Sequence, residues 1–318
     1  IMSLNTIPIV DLAEFLKGGE SKQQFVYELG KAFEDVGFVS VRHHGVSQTL
    51  IDDYYAAVQR FFDLPREVKN NYEKPELAGQ RGYTSFGKET AKGYDAPDLK
   101  EFWQMGQIVE GEVLSKADYP DNLSVAEVPE FFELGQQLFK AFEGSARELL
   151  RAIAIHLGIG EYYFDKHIHN GNSILRAIHY PPITQEPRSA VRAEQHEDIN
   201  LITLLVGASA EGLQLLNRQN EWLNITAPEG CLVVNVGDML QRLTNNKLKS
   251  TTHRVVNPPR EKWHTSRYSI PFFTHPRSEM RLDCLPSCVD ASHPALYEPI
   301  AAGEYLNERL IEIGLKKK

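Results

Sequence analysis

Cysteine is scarce in this sequence. The 318 residues include only Cys231, Cys284 and Cys288. Three cysteines spaced so unevenly do not indicate a disulfide framework, and they cannot by themselves complete a four-ligand zinc site. A chain of this length buries enough surface to fold without disulfides or a structural metal. We therefore predict a reducing compartment, and we expect any bound metal to serve the protein's function.

An excess of positive charge and long apolar runs are also lacking. The 34 Lys and Arg residues against 43 Asp and Glu residues give a formal net charge of −9, which argues against nucleic acid or an anionic membrane as a partner. The lysines at 316–318 are interpreted as a solvated tail. The apolar stretch 201–206 is far shorter than the ~20 residues that a membrane helix needs, and no targeting pattern marks the N-terminus. These absences predict a cytoplasmic protein.

The overall composition is ordinary, with 42% hydrophobic and 24% charged residues. This balance excludes a disordered, collagen-like or coiled-coil chain. The length is typical of an enzyme and corresponds to one large domain or two smaller ones.

The first half of the sequence follows helical periodicity after a short strand at 7–10. In the segment 21–36, apolar residues recur on one helical face, and Gly37 can end that helix. A strand is predicted at 38–41. Further helices are predicted from Ser47 to about Pro65 and over 128–157.

After residue 172 the apolar period changes to two, which is typical of strands. The predicted strands are 174–180, 201–206, 213–216, 222–225, 232–236, 253–256 and 268–273. Short strands at this spacing favour a sandwich or a barrel, with a jelly roll among the possibilities.

The segment 77–99 has no clear period and is rich in glycine, lysine and small polar residues. It is either an active-site lid or a plain surface loop. Just beyond it, Phe102, Trp103 and Met105 can line a substrate pocket or fill the core, and the sequence does not separate these two roles.

The strongest local signal is the triplet His196-Glu197-Asp198. Residues i and i+2 of an extended segment project from the same side, so His196 and Asp198 can reach one point. His253 follows 57 residues later at the start of another predicted strand and can supply a third ligand. Two imidazoles and one carboxylate are typical of non-haem ferrous iron, although catalytic zinc also uses three such ligands.

A second pair with the same spacing, Arg267 and Ser269, begins 14 residues after His253. A guanidinium and a hydroxyl on one strand face suit a carboxylate, because arginine binds carboxylates through two parallel hydrogen bonds. An iron triad beside a carboxylate-binding pair describes a 2-oxoglutarate site. The alternative for Arg267 alone is a surface salt bridge.

Nine short motifs occur in a fixed order along most of the chain. They are IPIVDL (7–12), GFVSVRHHG (37–45), FFDLPREVK (61–69), DLKEFW (98–103), HYPP (179–182), HED (196–198), GDML (237–240), STTHRVVNP (250–258) and RYSIPFF (267–273). In this order they resemble the isopenicillin N synthase-like family of 2-oxoglutarate and iron(II)-dependent dioxygenases.

The resemblance implies an α+β fold with a mainly β core, namely a double-stranded β-helix, or jelly roll, with a helical N-terminal cap domain. The implied division is a cap at 2–120, a long linking helix at 121–171, an oxygenase core at 172–280 and a C-terminal segment at 281–318. The implied cofactors are Fe(II), 2-oxoglutarate as cosubstrate, and dioxygen.

The resemblance also implies roles for individual residues. The implied iron ligands and catalytic residues are His196, Asp198 and His253; the implied cosubstrate-binding residues are Arg267, Ser269 and Tyr180. Two departures stand out: Ile178 occupies a position that is often asparagine in plant members, and the interval from His253 to Arg267 is a few residues longer than in many relatives. The presence of Asp198 argues against a halogenase.

Other histidines are assigned structural roles. His167 and His169 form a second i, i+2 pair, but no third ligand follows them in a clear pattern. His43 and His44 lie at a strand end beside a glycine. His179 is expected to face away from the side of the strand that carries Tyr180.

The sequence therefore predicts an oxygenase that couples 2-oxoglutarate decarboxylation to hydroxylation, desaturation or ring closure of a small molecule, with no nucleic-acid or membrane partner and no oligomeric state specified. Two alternatives stay open. Some relatives with the Arg-x-Ser pair, including isopenicillin N synthase and aminocyclopropane carboxylate oxidase, do not use 2-oxoglutarate. The second alternative is a non-catalytic metal-binding sensor with the same fold.

Overall fold

The N-terminal part of the chain alternates helices with short strands. The computed structural model describes residues 7–314, apart from the side chains of residues 208 and 210. Its first elements are β1 (Ile9–Asp11), α1 (Leu12–Lys17), α2 (Gly19–Asp35), β2 (Phe38–Arg42), α3 (Gln48–Phe62), α4 (Arg66–Asn70), β3 (Gly82–Thr84), β4 (Glu101–Gly106), α5 (Glu130–His156) and α6 (Asp165–Ile168).

The C-terminal part is mostly strand. Its elements are β5 (Ile174–Tyr180), β6 (Ala193–His196), β7 (Ile202–Val206), β8 (Leu213–Leu216), β9 (Trp222–Asn224), β10 (Leu232–Val236), α7 (Asp238–Leu243), β11 (His253–Val255), β12 (Arg267–Ser269), β13 (Pro271–Thr274) and α8 (Ala302–Glu312).

Local sequence signals explain the ends of two early helices. The Ser47 hydroxyl accepts a hydrogen bond from the Leu50 backbone N–H at 3.3 Å and so caps the N-terminus of α3. Gly37, two residues past the end of α2, has a φ of +78°, which glycine adopts without strain. The chain can therefore turn sharply from α2 into β2.

The strands form two sheets. The larger has the order β1-β2-β10-β7-β13-β5-β4-β3, with β12 also paired to β5, and the smaller has the order β6-β11-β8-β9. Apolar side chains from both sheets pack together, among them Phe38 and Val233 of the larger sheet and Leu215 and Val255 of the smaller. The two sheets therefore face each other across a shared interior, as in a jelly roll.

Helix α5 covers the outer face of the larger sheet. Phe139 and Phe142 of α5 place their rings 5.1 and 5.5 Å from the ring of Phe272 on β13. Because side chains alternate along a strand, the neighbouring Phe273 points to the opposite, inner face. The helix thus buries one side of the sheet and leaves the inner side for the site.

The predicted fold class is confirmed: the protein is an α+β jelly roll with a helical N-terminal region. The predicted run 268–273 is two strands, β12 and β13, which meet at Ile270. Among the described residues, no helix is long and apolar enough to cross a membrane.

Strand β4 was not predicted from the sequence. It carries Phe102, Trp103 and Met105, and its two faces show which of these residues belong to the core. Trp103 and Met105 lie in the main hydrophobic core, where the ring of Trp103 is 4.9 Å from that of Phe61. Phe102 is equally buried but points to the other face of the strand, against Ile178. Core packing therefore accounts for Trp103 and Met105, and Phe102 supports the inner face.

Candidate active site

Three side chains predicted as metal ligands lie together between the two sheets. His196 ends β6, Asp198 follows two residues later, and His253 begins β11, directly opposite His196 in the antiparallel register. One ligand atom from each lies within 4.8 Å of the others. Among residues 7–314, no other group of three or more His, Cys, Asp or Glu side chains is placed to hold one metal ion.

Backbone carbonyls orient both imidazole rings. Nδ1 of His196 is 2.7 Å from the carbonyl oxygen of Glu194, and Nδ1 of His253 is 2.9 Å from that of Thr251. A carbonyl oxygen only accepts, so each Nδ1 carries the proton of its ring. Each Nε2 therefore faces the centre, where a bound metal would take the place of any proton on that nitrogen.

Hydrogen bonds also fix the carboxylate of Asp198. Its Oδ2 accepts from the Thr203 hydroxyl at 2.6 Å and from the Asn235 side-chain amide at 2.8 Å, while its Oδ1 lies 3.2 Å from Nε2 of His253. Burial by itself raises the pKa of this carboxyl, but the charge and hydrogen bond of His253 outweigh burial and hold the pKa well below its usual range. The carboxylate is thus ionised with one oxygen free for a metal.

The residues predicted to bind a carboxylate also share one face. Arg267 pairs with Tyr180 and Ser269 with Ile178 in the antiparallel register of β12 and β5. The Arg267 guanidinium lies 4.9 Å from the centroid of the Tyr180 ring. Ile178, in the place of the asparagine of many plant members, presents an apolar side chain opposite Ser269.

Nitrogen atoms without partners lie at this end of the site and are suited to an anion. Nε and Nη1 of Arg267 are buried and have no hydrogen-bond partner among the described residues, and the same holds for Nε of Arg192. The Arg192 guanidinium lies 6.0 Å from the centroid of the Tyr180 ring. The pKa of Arg192 is lowered chiefly by burial and further by the neighbouring charge of Arg267. Arg192, which is buried, and Arg267, which is half-buried, thus carry buried donors without partners, and such donors suit a carboxylate such as the distal one of 2-oxoglutarate.

A cavity of about 260 Å³ opens beside the predicted metal ligands. Its wall includes His196 and Asp198, Phe273 of β13, and the apolar residues Leu306 and Leu310 of α8. Seven residues of the segment 77–99 also line it: Gln80, Glu89, Thr90, Ala91, Lys92, Tyr94 and Asp98. The segment is therefore a wall of the cavity rather than a loop remote from it.

Sequence reasoning missed a set of charged residues on this wall. Lys100 is 6% exposed, and its Nζ lies 2.8 Å from Oε1 of Glu89 and 3.1 Å from Oδ2 of Asp98. Nη1 of Arg176 lies 3.3 Å from the same Oε1 of Glu89. Three of these four residues lie close together in the sequence, but Arg176 follows Glu89 by 87 residues. An arginine in the apolar run 174–180 was the one available signal, because a buried charge needs a partner.

The remaining histidines have structural contacts. His179 faces away from Tyr180 and lies between the Glu101 carboxylate and the Ser266 hydroxyl. Nε2 of His44 is 3.0 Å from the carbonyl oxygen of Gly230. Nδ1 of His43 is 2.9 Å from Oδ1 of Asp11. His167 and His169 are not part of the metal-ligand group in the described chain.

Two family models match this chain in succession. The N-terminal model, described as "non-haem dioxygenase in morphine synthesis N-terminal", matches residues 7–131. The second, described as "2OG-Fe(II) oxygenase superfamily", matches residues 171–276, which include all three predicted metal ligands and the Arg267–Ser269 pair.

Relatives that align along most of this chain are consistent with the two family models. The chain is 31% identical over 304 residues to the 2-oxoglutarate-Fe(II) type oxidoreductase hxnY of Emericella nidulans, covering 92% of this chain and 86% of the relative. A proline hydroxylase, buaE, of Petromyces alliaceus is 30% identical, covering 95% and 98%.

Solved structures give the same result. A 2OG-Fe(II) oxygenase family protein of Caulobacter crescentus superposes with a TM-score of 0.87 at 44% identity, covering 96% of this chain and 99% of that one. A full-length Neurospora crassa protein, solved in complex with α-ketoglutarate (2-oxoglutarate) and thymine, has a TM-score of 0.84 at 31% identity and covers 98% of each chain. The chain belongs to the 2-oxoglutarate and iron(II)-dependent oxygenase superfamily, whose enzymes use Fe(II), 2-oxoglutarate and dioxygen.

Proposed function

We propose that this enzyme couples 2-oxoglutarate decarboxylation to hydroxylation, desaturation or ring closure of a small molecule, with His196, Asp198 and His253 as the ligands of Fe(II) and Arg267, Ser269 and Tyr180 as the site of 2-oxoglutarate. In a hydroxylation, substrate, 2-oxoglutarate and dioxygen give hydroxylated product, succinate and carbon dioxide. The observation that carries the proposal is the meeting of three ligand atoms within 4.8 Å, from residues up to 57 positions apart.

Iron, when bound, supplies the activation of dioxygen, and the protein contributes placement. Asp198 is held by Thr203 and Asn235, so it offers Oδ1 as a single ligand oxygen. Two imidazoles and one carboxylate leave positions open for the keto acid and dioxygen. One aspartate only partly neutralises a dication, so the centre keeps a positive charge that favours an anionic cosubstrate.

Arg267 is proposed to hold the distal carboxylate of 2-oxoglutarate. Its Nε and Nη1 are buried and have no partner among the described residues, so the guanidinium keeps donors for a carboxylate. The Tyr180 ring beneath the guanidinium restricts its plane and orients this donor pair. This part of the site would thus select an acid of the correct length.

Succinate formation tests the proposal. Purified protein with Fe(II), 2-oxoglutarate and dioxygen should release succinate, and omission of any one of the three should abolish release. Oxygen uptake that is unaffected by omitting 2-oxoglutarate would instead indicate an oxidase that does not use the keto acid. A protein that binds iron and 2-oxoglutarate but never releases succinate would indicate a sensor.

The substrate is proposed to be a small cytoplasmic metabolite. The scarcity of cysteine and the net charge of −9 support this setting and argue against a nucleic acid or a membrane as partner. Named relatives include a proline hydroxylase and a thymine-bound structure, both of which concern small molecules. Incubation with metabolite pools should produce a mass gain of one oxygen or a loss of two hydrogens, and the Asp198→Ala variant should produce neither.

A further inference from the structure

The charged cluster formed by Glu89, Asp98, Lys100 and Arg176 lies on the wall of the same cavity as the metal ligands. Three of its residues are buried, with Glu89 8% exposed, Asp98 4% and Lys100 6%, and the side chain of Arg176 is 14% exposed. The strand register places this cluster near the predicted metal ligands. Phe273 of β13 pairs with Thr203 of β7, whose hydroxyl bonds Asp198, and the Arg176 guanidinium lies 5.2 Å from the Phe273 ring.

The cluster is separate from the proposed carboxylate site. Arg176 and Tyr180 lie on the same face of β5, four residues apart, which is roughly 13 Å along a strand. Ile178 stands between them on that face. An acid held by Arg267 at the Tyr180 end would therefore leave the Arg176 end for a second molecule.

The charges of the cluster balance. Two cations, Lys100 and Arg176, face two carboxylates, Glu89 and Asp98, and the Lys100 ammonium binds both carboxylates. Burial raises the pKa of Glu89, but Lys100 and Arg176 outweigh it and lower that pKa to about 2, so the carboxylate stays ionised. His275, which also lines the cavity, is kept neutral because burial lowers its pKa to about 4. Within the cluster no charge is left over, so a charged substrate group bound to these four residues would find no counter-charge among them, which is costly in a buried site.

The cluster nevertheless has unused hydrogen-bonding groups. Both cations bind the same oxygen of Glu89, Oε1, and the other oxygen, Oε2, is buried without a partner among the described residues. Arg176 donates from Nε to Gln104 Oε1 at 2.8 Å and from Nη1 to Glu89, and its Nη2 makes no hydrogen bond in the described part of the chain. The Glu89–Arg176 pair therefore has one free acceptor and one free donor.

Aromatic contacts fix the plane of this pair. The Arg176 guanidinium lies 4.2 Å from the Phe102 ring and 5.2 Å from the Phe273 ring. A guanidinium held in this way presents its donors in a set direction. The cavity is also lined by Leu306, Leu310 and Ile313, which suit an apolar part of the same ligand.

We propose that Arg176 and Glu89 recognise an uncharged amide-like group of the substrate, a carbonyl next to an N–H, as in a lactam or a cyclic urea. Arg176 Nη2 donates to the carbonyl oxygen, and Glu89 Oε2 accepts from the N–H. The inference rests on the proposed function, because it places the substrate beside the metal ligands. The cavity of about 260 Å³ lies just below the usual range of ligand sites, about 300–1,000 Å³, and so fits a single-ring compound better than a large one.

Binding of four matched single-ring probes tests this proposal. The probes are 2-piperidone (a lactam), cyclohexanone (the carbonyl alone), piperidine (a cation at neutral pH) and cyclohexanecarboxylate (an anion). Saturation-transfer NMR is recorded on the full chain loaded with 2-oxoglutarate and Zn(II), which cannot undergo redox turnover. We expect 2-piperidone to bind at least tenfold more tightly than each of the other three, because only it pairs both free groups.

Charge-neutralising variants make the test sharper. Glu89→Gln leaves the cluster with one excess positive charge. The binding of 2-piperidone should therefore weaken at least tenfold, and the binding of cyclohexanecarboxylate should strengthen. Arg176→Gln leaves one excess negative charge, so piperidine should strengthen instead. Arg151→Gln removes a half-buried arginine that pairs with Asp165 outside the cavity, and the probe preferences should remain those of the unaltered chain.

The outcomes separate this inference from the proposed function. A panel in which 2-piperidone does not exceed cyclohexanone, or in which a charged probe binds best to the unaltered chain, overturns the inference. Probe preferences that do not move in opposite directions in Glu89→Gln and Arg176→Gln also overturn it, provided that circular dichroism shows both variants folded. Release of succinate without added substrate, measured separately with iron, reports on the proposed function alone.

Discussion

The Thr203 hydroxyl donates a 2.6 Å hydrogen bond to Oδ2 of Asp198, from a strand of the larger sheet to the loop that follows β6 of the smaller one. Asn235, the neighbour of Thr203 in the register of β7 and β10, donates to the same oxygen at 2.8 Å. These two donors turn the other oxygen of Asp198 toward His253. The larger sheet therefore orients a ligand that the smaller sheet carries.

Thr203→Val should weaken iron binding by about 10- to 100-fold, because loss of a hydrogen bond to a metal-binding carboxylate has effects of that size. The side chain keeps its shape but loses its donor. The measurement is an anaerobic competition titration of Fe(II) against a chelator. Thr203→Ser retains the hydroxyl and should bind iron nearly as the unaltered chain does; equal affinity in the valine variant would contradict the role given to Thr203.

Arg267→Gln should raise the Kd for 2-oxoglutarate by about 10- to 100-fold, which is the effect of removing hydrogen bonds to a charged group. Binding of Fe(II) in the absence of 2-oxoglutarate should not change. Isothermal titration with each ligand separates the two effects. Arg267→Lys keeps the charge but not the two-pronged geometry, so its Kd should lie between the other two.

If all three proteins bind 2-oxoglutarate alike, Arg267 is not its site. Arg151→Gln serves as the matched arginine control for general effects of the substitution, since Arg151 pairs with Glu148 and Asp165 on the outer helices.

Trp103→Ala should lower the free energy of unfolding by about 3 to 5 kcal/mol, because it removes a large ring from the main core. The Trp103 ring packs against Phe61 at 4.9 Å and Phe131 at 5.4 Å. Denaturant unfolding measures the change. Phe86→Ala, at a side chain that is 44% exposed, should stay within about 0.5 kcal/mol. Similar small effects at both positions would place Trp103 outside the core.

The buried His275 should make stability depend on pH. Burial lowers its folded-state pKa to about 4, below the ordinary value of 6.5. Between these two values the unfolded chain binds the proton more tightly, so stability is lost as the pH falls from 6.5 to 4. The loss attributable to this group is about 3 kcal/mol from a difference of about 2.5 pH units.

His275→Gln, which is neutral at every pH, should lack this part of the slope. Urea unfolding of the metal-free proteins at several pH values gives the difference between the two curves. Parallel curves between pH 4 and pH 6.5 would show that His275 titrates normally in the folded state.

Much of the fold and part of the site could be predicted from the sequence. The short apolar runs after residue 172 predicted most of the jelly-roll strands, although β8 alternates buried with half-buried residues, while β10 is buried at all five positions. Spacing predicted that His196 and Asp198 lie together as an i, i+2 pair of an extended segment. In the structure Asp198 lies in the loop after β6, where Thr203 and Asn235 hold its carboxylate. The partnership with His253 followed only from the family resemblance and the expected sheet pairing, and the structure brings the three together.

The charged wall of the cavity could not be predicted, for a physical reason. Strand β4 carries the buried polar residues Glu101 and Gln104, which satisfy partners on other strands, so its sequence shows no apolar alternation. Likewise, Glu89 and Arg176 are paired only by the three-dimensional fold. Buried ion pairs between distant segments leave no periodic pattern in the sequence. The charged wall of this cavity is therefore visible only in the structure.

The central claim, that one ferrous ion is shared by the triad and chelated by 2-oxoglutarate, is tested most directly by an anaerobic titration with Fe(II) in the presence of 2-oxoglutarate. The account predicts a weak visible charge-transfer band that saturates at one iron per chain and does not form in the Asp198→Ala variant. A band of equal intensity and stoichiometry in that variant, or no band in the unaltered protein, would contradict it.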